Sequence, residues 1–191
     1  ICKENKDDTA ILETIVDSIF VKAVMQSVYC PYYVKLINKI IENEIEIIDV
    51  IINKSKDYQV MLKMENNTKL TSIEKETYDE FCEKIKNKTF KAGYSQFIGE
   101  LLKNEIIEKE IISSCLNLFI ENIKTLIEKD INDETIEDNI ICIYNLIKTT
   151  YNLIESEEIM EALINIKNTS NLQRRLKFKI MDLHDILKNK K

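Results

Sequence analysis

The residue types that build most metal and catalytic sites are scarce in this chain. Its only histidine is His184, which we expect at the surface or in a groove and not as a ligand. A zinc site needs a cluster of Cys or His ligands, and a catalytic triad needs a base beside a nucleophile. We therefore predict no enzyme activity, no metal and no cofactor. An enzyme remains the competing hypothesis of another class, and turnover without any partner would support it.

The cysteines are odd in number, widely spaced and free of CxxC pairs, and most lie in apolar helical patterns. Thiols in such positions are typical of reduced core residues rather than of disulfide frameworks or metal ligands. We assign this role to all five: Cys2, Cys30, Cys82, Cys115 and Cys142.

Charge is distributed unevenly along the chain. Residues 167–191 carry eight Lys or Arg and two Asp, which gives +6 in a chain whose net charge is −6. The basic end could meet RNA phosphates or an acidic partner, and the acidic remainder suits a basic partner surface. The alternative is a solvated helix end with a lysine tail, Lys188, Lys190 and Lys191. Because no aromatic array lies among these basic residues, we expect any RNA binding to be weak, non-specific and salt-sensitive.

Composition indicates which elements position these residues. With 45% apolar residues, two glycines and one proline in 191 residues, the chain favours helices over hairpins or glycine-rich loops. No 18-residue window lacks charge and the start has no signal-peptide core, so we predict a soluble protein of the cytoplasm without membrane contact. We expect residues 1–191 to form a single domain and, because residue 1 is Ile, to belong to a longer chain.

Apolar residues recur at three and four positions through most of the chain. The pattern predicts an all-α fold of about eight or nine helices. Pro31 is placed to start the second helix, residues 42–64 cannot be phased, and 66–68 look like a loop. Short connections predict antiparallel hairpins stacked as a solenoid. The remaining helices are expected from Ile11 to Ala23, from Ser72 past Ile85, through Phe97 and Leu101, over 108–129, from Asp133 to Ile154, from Ser156, and from Leu172 to Leu187.

Gly99 falls inside an apolar helical pattern, two residues from both Phe97 and Leu101. A glycine within a helix costs about 1 kcal/mol relative to alanine. Close approach of a neighbouring helix would offset that cost, whereas the alternative is an exposed glycine without a role. The spacing favours the first interpretation.

Four stretches in order resemble the middle domain of eukaryotic translation initiation factor 4G. Residues 97–120, FIGELLKNEIIEKEIISSCLNLFI, are similar to the family's Phe-Ile-Gly-Glu-Leu core and the apolar helix after it. IVDSIFVKAV at 15–24 with YCPYYVKLI at 29–37 resembles its first hairpin, ICIYNLIKTTYNLIE at 141–155 a later helix, and QRRLKFKIMDLHDIL at 173–187 its closing helix. The heavy use of Ile, Asn and Lys suggests an AT-rich genome and a divergent or viral member.

The resemblance implies a HEAT-repeat superhelix that binds a DEAD-box RNA helicase of the initiation factor 4A class. Such a scaffold would hold the two helicase lobes in their active arrangement and act in translation initiation. The alternative within the superfamily is a scaffold of mRNA decay, nuclear cap binding or splicing that binds a different DEAD-box helicase. A choice between these alternatives needs the helicase itself.

Partner-binding residues carry over by position from the family's contacts, which come from the loop ends of early hairpins and from the last repeat. Ordinary hairpin packing is the alternative for the tyrosines, and core packing is expected for Phe97 and Phe178. The candidate helicase- or RNA-binding residues are Tyr29, Pro31 and Tyr32 in the first hairpin, Asn104 and Glu105 in the turn after the glycine helix, and Arg174, Arg175 and Lys177 in the last helix.

Overall fold

A computed structural model describes residues 9–43, 47–68, 78–129, 133–155, 157–169 and 172–188. Within these ranges the chain forms eight α-helices and one short 3-10 turn, and no strand, which confirms the all-α prediction. The predicted roles of Cys2, Ser72, Ser156, Lys190 and Lys191 lie outside the described residues. The helices are α1 (Thr9–Met25), α2 (Cys30–Ile41), α3 (Ile48–Thr68), α4 (Tyr78–Lys103), α5 (Lys109–Glu128), α6 (Asp133–Thr150), α7 (Glu157–Lys167) and α8 (Arg174–Lys188).

The helices pack in two layers. In one layer α2 contacts α4, α4 contacts α6 and α6 contacts α8; in the other, α1, α3, α5 and α7 contact each other in the same order. Ion pairs Lys84–Glu134 and Lys88–Asp138 advance by four residues in both α4 and α6, so these two helices run parallel. This arrangement is consistent with a solenoid of helical hairpins, and the HEAT-type superhelix stays a prediction.

Two sequence predictions about helix boundaries were wrong. The two helices expected around Ile85 and Phe97 are one continuous helix, α4, whose 26 residues span about 39 Å. The predicted loop at 66–68 belongs to the end of α3, which also accounts for most of the unphased segment. The glycines do not interrupt α4 because neither has a positive φ. Their role is to admit neighbouring helices.

Neighbouring helices approach α4 closely at Gly93 and Gly99. A Cβ atom built on Gly93 would lie 2.1 Å from the backbone oxygen of Val24 in α1. A Cβ atom on Gly99 would lie 1.9 Å from Thr149 Oγ1 in α6. The close approach predicted at Gly99 is therefore confirmed, although a side chain and not the backbone makes it. Backbone contact occurs at Gly93, for which the sequence suggested no role.

The core runs through both layers and includes Phe97, as predicted. Phe178 was predicted to be buried and is not, since 60% of its surface is exposed. In α8 the buried residues are Leu176, Ile180, Leu183 and Leu187, and at 100° per residue Phe178 points away from that stripe. The apolar residues near Phe178 in the sequence did not reveal on which side of α8 its side chain lies.

The thiols mostly follow the prediction. Cys30, Cys115 and Cys142 are buried, Cys82 is half-buried, and these four form no disulfide within the described residues. A separate observation concerns membranes: each helix in the described ranges is too short or too polar to serve as a transmembrane span.

Candidate partner-binding surfaces

The start of α2 presents two exposed tyrosines. Tyr29 ends the 3-10 turn and Pro31 occupies the first turn of α2, where its fixed φ favours helix initiation. Tyr29 and Tyr32 are 56% and 67% exposed, and their ring centroids lie 6.5 Å apart. The Lys35 ammonium lies 5.7 Å from the centroid of the Tyr32 ring. The tyrosines therefore do not serve hairpin packing, which leaves their rings available to a partner.

Buried neighbours determine the outward direction of these tyrosines. Cys30, Val34 and Ile37 form the buried stripe of α2, and Tyr32 lies on the opposite, solvent-facing side of the helix. Gln96 Nε2 in α4 donates a hydrogen bond to the Ser27 carbonyl oxygen over 3.2 Å, which attaches the turn to α4. Burial, followed by the charge of Glu100, raises the pKa of Cys30 to about 12. Its thiol is therefore protonated at neutral pH and acts as an apolar anchor.

The turn after α4 is exposed, as predicted for Asn104 and Glu105, but its groups also close the helix. Asn104 Nδ2 donates to the Glu100 carbonyl oxygen over 2.8 Å, and Asn38 Nδ2 of α2 donates to Asn104 Oδ1 over 3.4 Å. Glu105 has a φ of 59°, and its N–H donates to the Leu102 carbonyl oxygen over 2.9 Å. The Ile106 N–H also donates to the Leu101 carbonyl oxygen. These two backbone bonds, from Glu105 and Ile106, form a Schellman motif in which Glu105 occupies the position where Gly is usual.

The basic start of α8 is less available than its sequence implies. Arg174 is exposed, but Arg175 Nη2 lies 3.2 Å from Glu137 Oε2 in α6, and Lys177 is only half-exposed. Lys179 Nζ donates to Glu137 Oε1 over 2.6 Å. This hydrogen bond, together with the positive charges of Lys179 and Arg175, holds the pKa of Glu137 below its ordinary value. Glu137 thus neutralises part of the basic cluster within the chain.

The tyrosines and the basic residues lie on separate surfaces. Ser27 bonds to Gln96 of α4, whereas Arg175 pairs with Glu137, whose neighbour Asp138 pairs with Lys88 of α4. The offset of eight positions from Lys88 to Gln96 corresponds to about 12 Å along α4. Across the layer, three helix spacings from α2 to α8 add about 24–30 Å. Only a large or two-lobed partner can contact both surfaces.

A groove between α6 and α8 was not expected from the sequence. It encloses about 240 Å³ and is lined by Ile140, Ile141, Tyr144, Lys179 and Asp182. Phe178 lies one turn from Asp182 and is exposed. No sequence signal marked the groove because its lining comes from two helices whose relative rotation is a tertiary property.

The residue types that ligate metals do not assemble into a metal site in the described ranges. There, no group of three or more His, Cys, Asp or Glu side chains could hold a metal ion. His184 is half-buried, and its Nδ1 lies 3.6 Å from Asp185 Oδ1 on the same helix. His184 is therefore a partly exposed side chain with one acidic neighbour.

Compared with known proteins, the chain matches no family model, no curated protein and no solved structure. The likeness to the initiation factor 4G middle domain therefore depends on the four sequence stretches alone.

Proposed function

We propose that this chain is a non-catalytic helical scaffold of the cytoplasm that binds a DEAD-box RNA helicase of the initiation factor 4A class during translation initiation. The observation that carries the proposal is the contact between Gly99 and Thr149. Gly99 belongs to the FIGEL stretch and Thr149 to the 141–155 stretch, so two segments chosen for their family likeness lie against each other in space. The close packing predicted for Gly99 from its place in a helical pattern brings these two segments together, which supports the proposal.

Two separated surfaces suit a partner with two lobes. The tyrosines of α2 would contact one lobe and the start of α8 the other, at a separation of about 24–30 Å across the helix layer. Such a scaffold accelerates the helicase only if it binds the closed arrangement of the lobes more tightly than the open one. Arg174 and Lys177 could add weak, salt-dependent contacts to RNA phosphates.

The test is to mix the purified chain with an initiation factor 4A helicase and measure complex formation and RNA-dependent ATP turnover. We expect binding and faster turnover. Tyr29→Ala with Tyr32→Ala should weaken binding by about ten-fold, because exposed aromatic anchors dominate interfaces. Arg174→Glu should weaken it by about three-fold, as a rim charge would.

Val60→Ser serves as the matched control, since Val60 is half-exposed on α3, away from both surfaces. Absence of a complex and of any change in turnover would reject the proposal. The related reading, a scaffold of mRNA decay, nuclear cap binding or splicing, is tested in the same assay by competition between helicase paralogues. Preference for a helicase paralogue of one of these processes would assign the chain to that process instead of translation initiation.

A further inference from the structure

The first hairpin, α1 and α2, exposes apolar side chains beyond the tyrosines already assigned to partner binding. Val21 and Met25 lie one turn apart on α1, and Val28 in the 3-10 turn is 82% exposed. Tyr32 and Leu36 lie one turn apart on α2. Exposed apolar side chains are common singly, but several of them within one helical hairpin are typical of an interaction site. We call the cluster the hairpin patch: Val21, Met25, Val28, Tyr29, Tyr32 and Leu36.

The part of the hairpin that carries the patch, residues 18–41, has charge of one sign. Residues 18–41 contain Lys22, Lys35 and Lys39 and no acidic residue, although the chain as a whole carries −6. All three lysines are exposed, and Lys35 lies against the Tyr32 ring. Nearby Asp17 is paired with Lys54 of α3. The surface is therefore apolar with positive charge interspersed, in a protein whose net charge is −6.

We infer that the hairpin patch is a docking site for an amphipathic, acidic segment of a partner protein. Apolar side chains of the segment would cover the patch, and its carboxylates would meet the lysines. The aliphatic side chains favour a peptide over RNA, which is bound mainly by cations and stacked rings. The lysines lie among the exposed apolar residues on both helices. An amphipathic helix with an apolar stripe flanked by acidic residues can match that pattern.

The inference goes beyond the proposed function because it holds for any partner that presents such a segment. It adds Val21, Met25, Val28 and Leu36 to the interface and specifies the chemistry of the ligand. Tyr29 and Tyr32 are shared with the proposed helicase surface, so the experiment must separate the two ideas.

The probe is a displayed library of random peptides about 16 residues long, long enough for four helical turns. It is selected on the immobilised folded chain, with counter-selection on the empty support. We expect enriched peptides to place apolar residues at helical spacing and to be rich in Asp and Glu. Synthetic versions should lose about ten-fold or more in affinity for a Tyr29→Ser, Tyr32→Ser variant.

Two further variants sharpen the result. Lys22→Glu with Lys35→Glu should weaken the same peptides several-fold, and only at low salt. Tyr78→Ser with Phe178→Ser is the matched control, since both aromatics are exposed and lie on other helices. The control should bind normally, and the helical circular dichroism of every variant should equal that of the parent chain, because all replaced side chains are exposed.

Other outcomes would overturn the inference. These are enrichment of basic peptides, equal affinity for the parent and the Tyr29→Ser, Tyr32→Ser variant, or no enrichment at all. Binding of an oligouridylate or of phosphatidylserine vesicles that is lost in that variant, without any enriched peptide, would reassign the patch to RNA or to a membrane surface. Peptide binding without helicase activation would retain the inference and reject the proposed function; helicase activation without any enriched peptide would do the reverse.

Discussion

Helix α4 is held by its two main neighbours in different ways. On the α1 side the contact is apolar: the Phe20 and Phe97 rings meet edge to face at 4.8 Å, and Gly93 admits the backbone of Val24. On the α6 side Gly99 admits the hydroxyl of Thr149, and lysines of α4 pair with carboxylates of α6. The first interface should tolerate pH and salt but not added volume. The second should show the opposite sensitivities.

The largest expected effect comes from comparing the two glycines. Gly93→Ala places a methyl group against backbone, which cannot rotate away, and should destabilise the fold by about 2–4 kcal/mol. Gly99→Ala meets a side chain that can move, and alanine gains about 1 kcal/mol of helix propensity, so the loss should be about 1–2 kcal/mol or less. Denaturant unfolding followed by circular dichroism measures both values.

Thr149→Ala provides the control for this comparison, because it removes the hydroxyl that the new methyl group would strike. It should relieve Gly99→Ala and leave Gly93→Ala unchanged. Equal destabilisation by the two alanines, or relief of both by Thr149→Ala, would abolish the distinction between the interfaces.

Acid should weaken the α6 side of the structure first. Hydrogen bonds from Lys84 and Lys179 hold the pKa values of Glu134 and Glu137 below the ordinary 4.5. A carboxyl with a depressed folded-state pKa stabilises the fold fully above its unfolded value, and this contribution is lost as the pH falls through the folded-state pKa. We expect amide hydrogen exchange in α6 and α8 to accelerate below pH 4.5 more than exchange in α1 and α2.

Glu134→Gln with Glu137→Gln should flatten this acid response at a cost of about 1 kcal/mol at neutral pH, because the lysine partners are partly exposed. At high pH the raised pKa of Lys88, caused mainly by its bond to Asp138, implies stabilisation that is complete below 10.5 and lost as the pH rises through the folded-state pKa. Uniform acceleration over all helices in acid would show that the ion pairs are irrelevant to local stability.

The smallest expected effect tests the end of α4, which belongs to neither interface. Glu105→Gly should stabilise the fold by about 0.5–1 kcal/mol, because glycine adopts the left-handed conformation that Glu105 holds at φ 59° with less strain. The gain should appear equally in the parent chain and in the Gly99→Ala variant. Destabilisation would mean that the Glu105 side chain makes a contact worth more than the strain.

Local patterns predicted the helices and the start of α2 at Pro31, because helical spacing and proline act within a few residues. They also predicted close packing at Gly99. They failed where the decisive partner is remote in sequence: Gly93 needs Val24, and Arg175 is neutralised by Glu137. The orientation of Phe178 depends on the rotation of α8 against its neighbours, which apolar spacing alone did not establish.

The buried Cys30 is a built-in probe of transient opening of the hairpin. Only the thiolate reacts with alkylating reagents, and at Cys30 both burial and the raised pKa suppress it, whereas Cys82 is half-buried. Modification of Cys30 therefore requires α2 to separate transiently from α4. Its alkylation rate at increasing denaturant measures how often this opening occurs. A ligand seated across α1 and α2 would slow that rate without touching the sulfur.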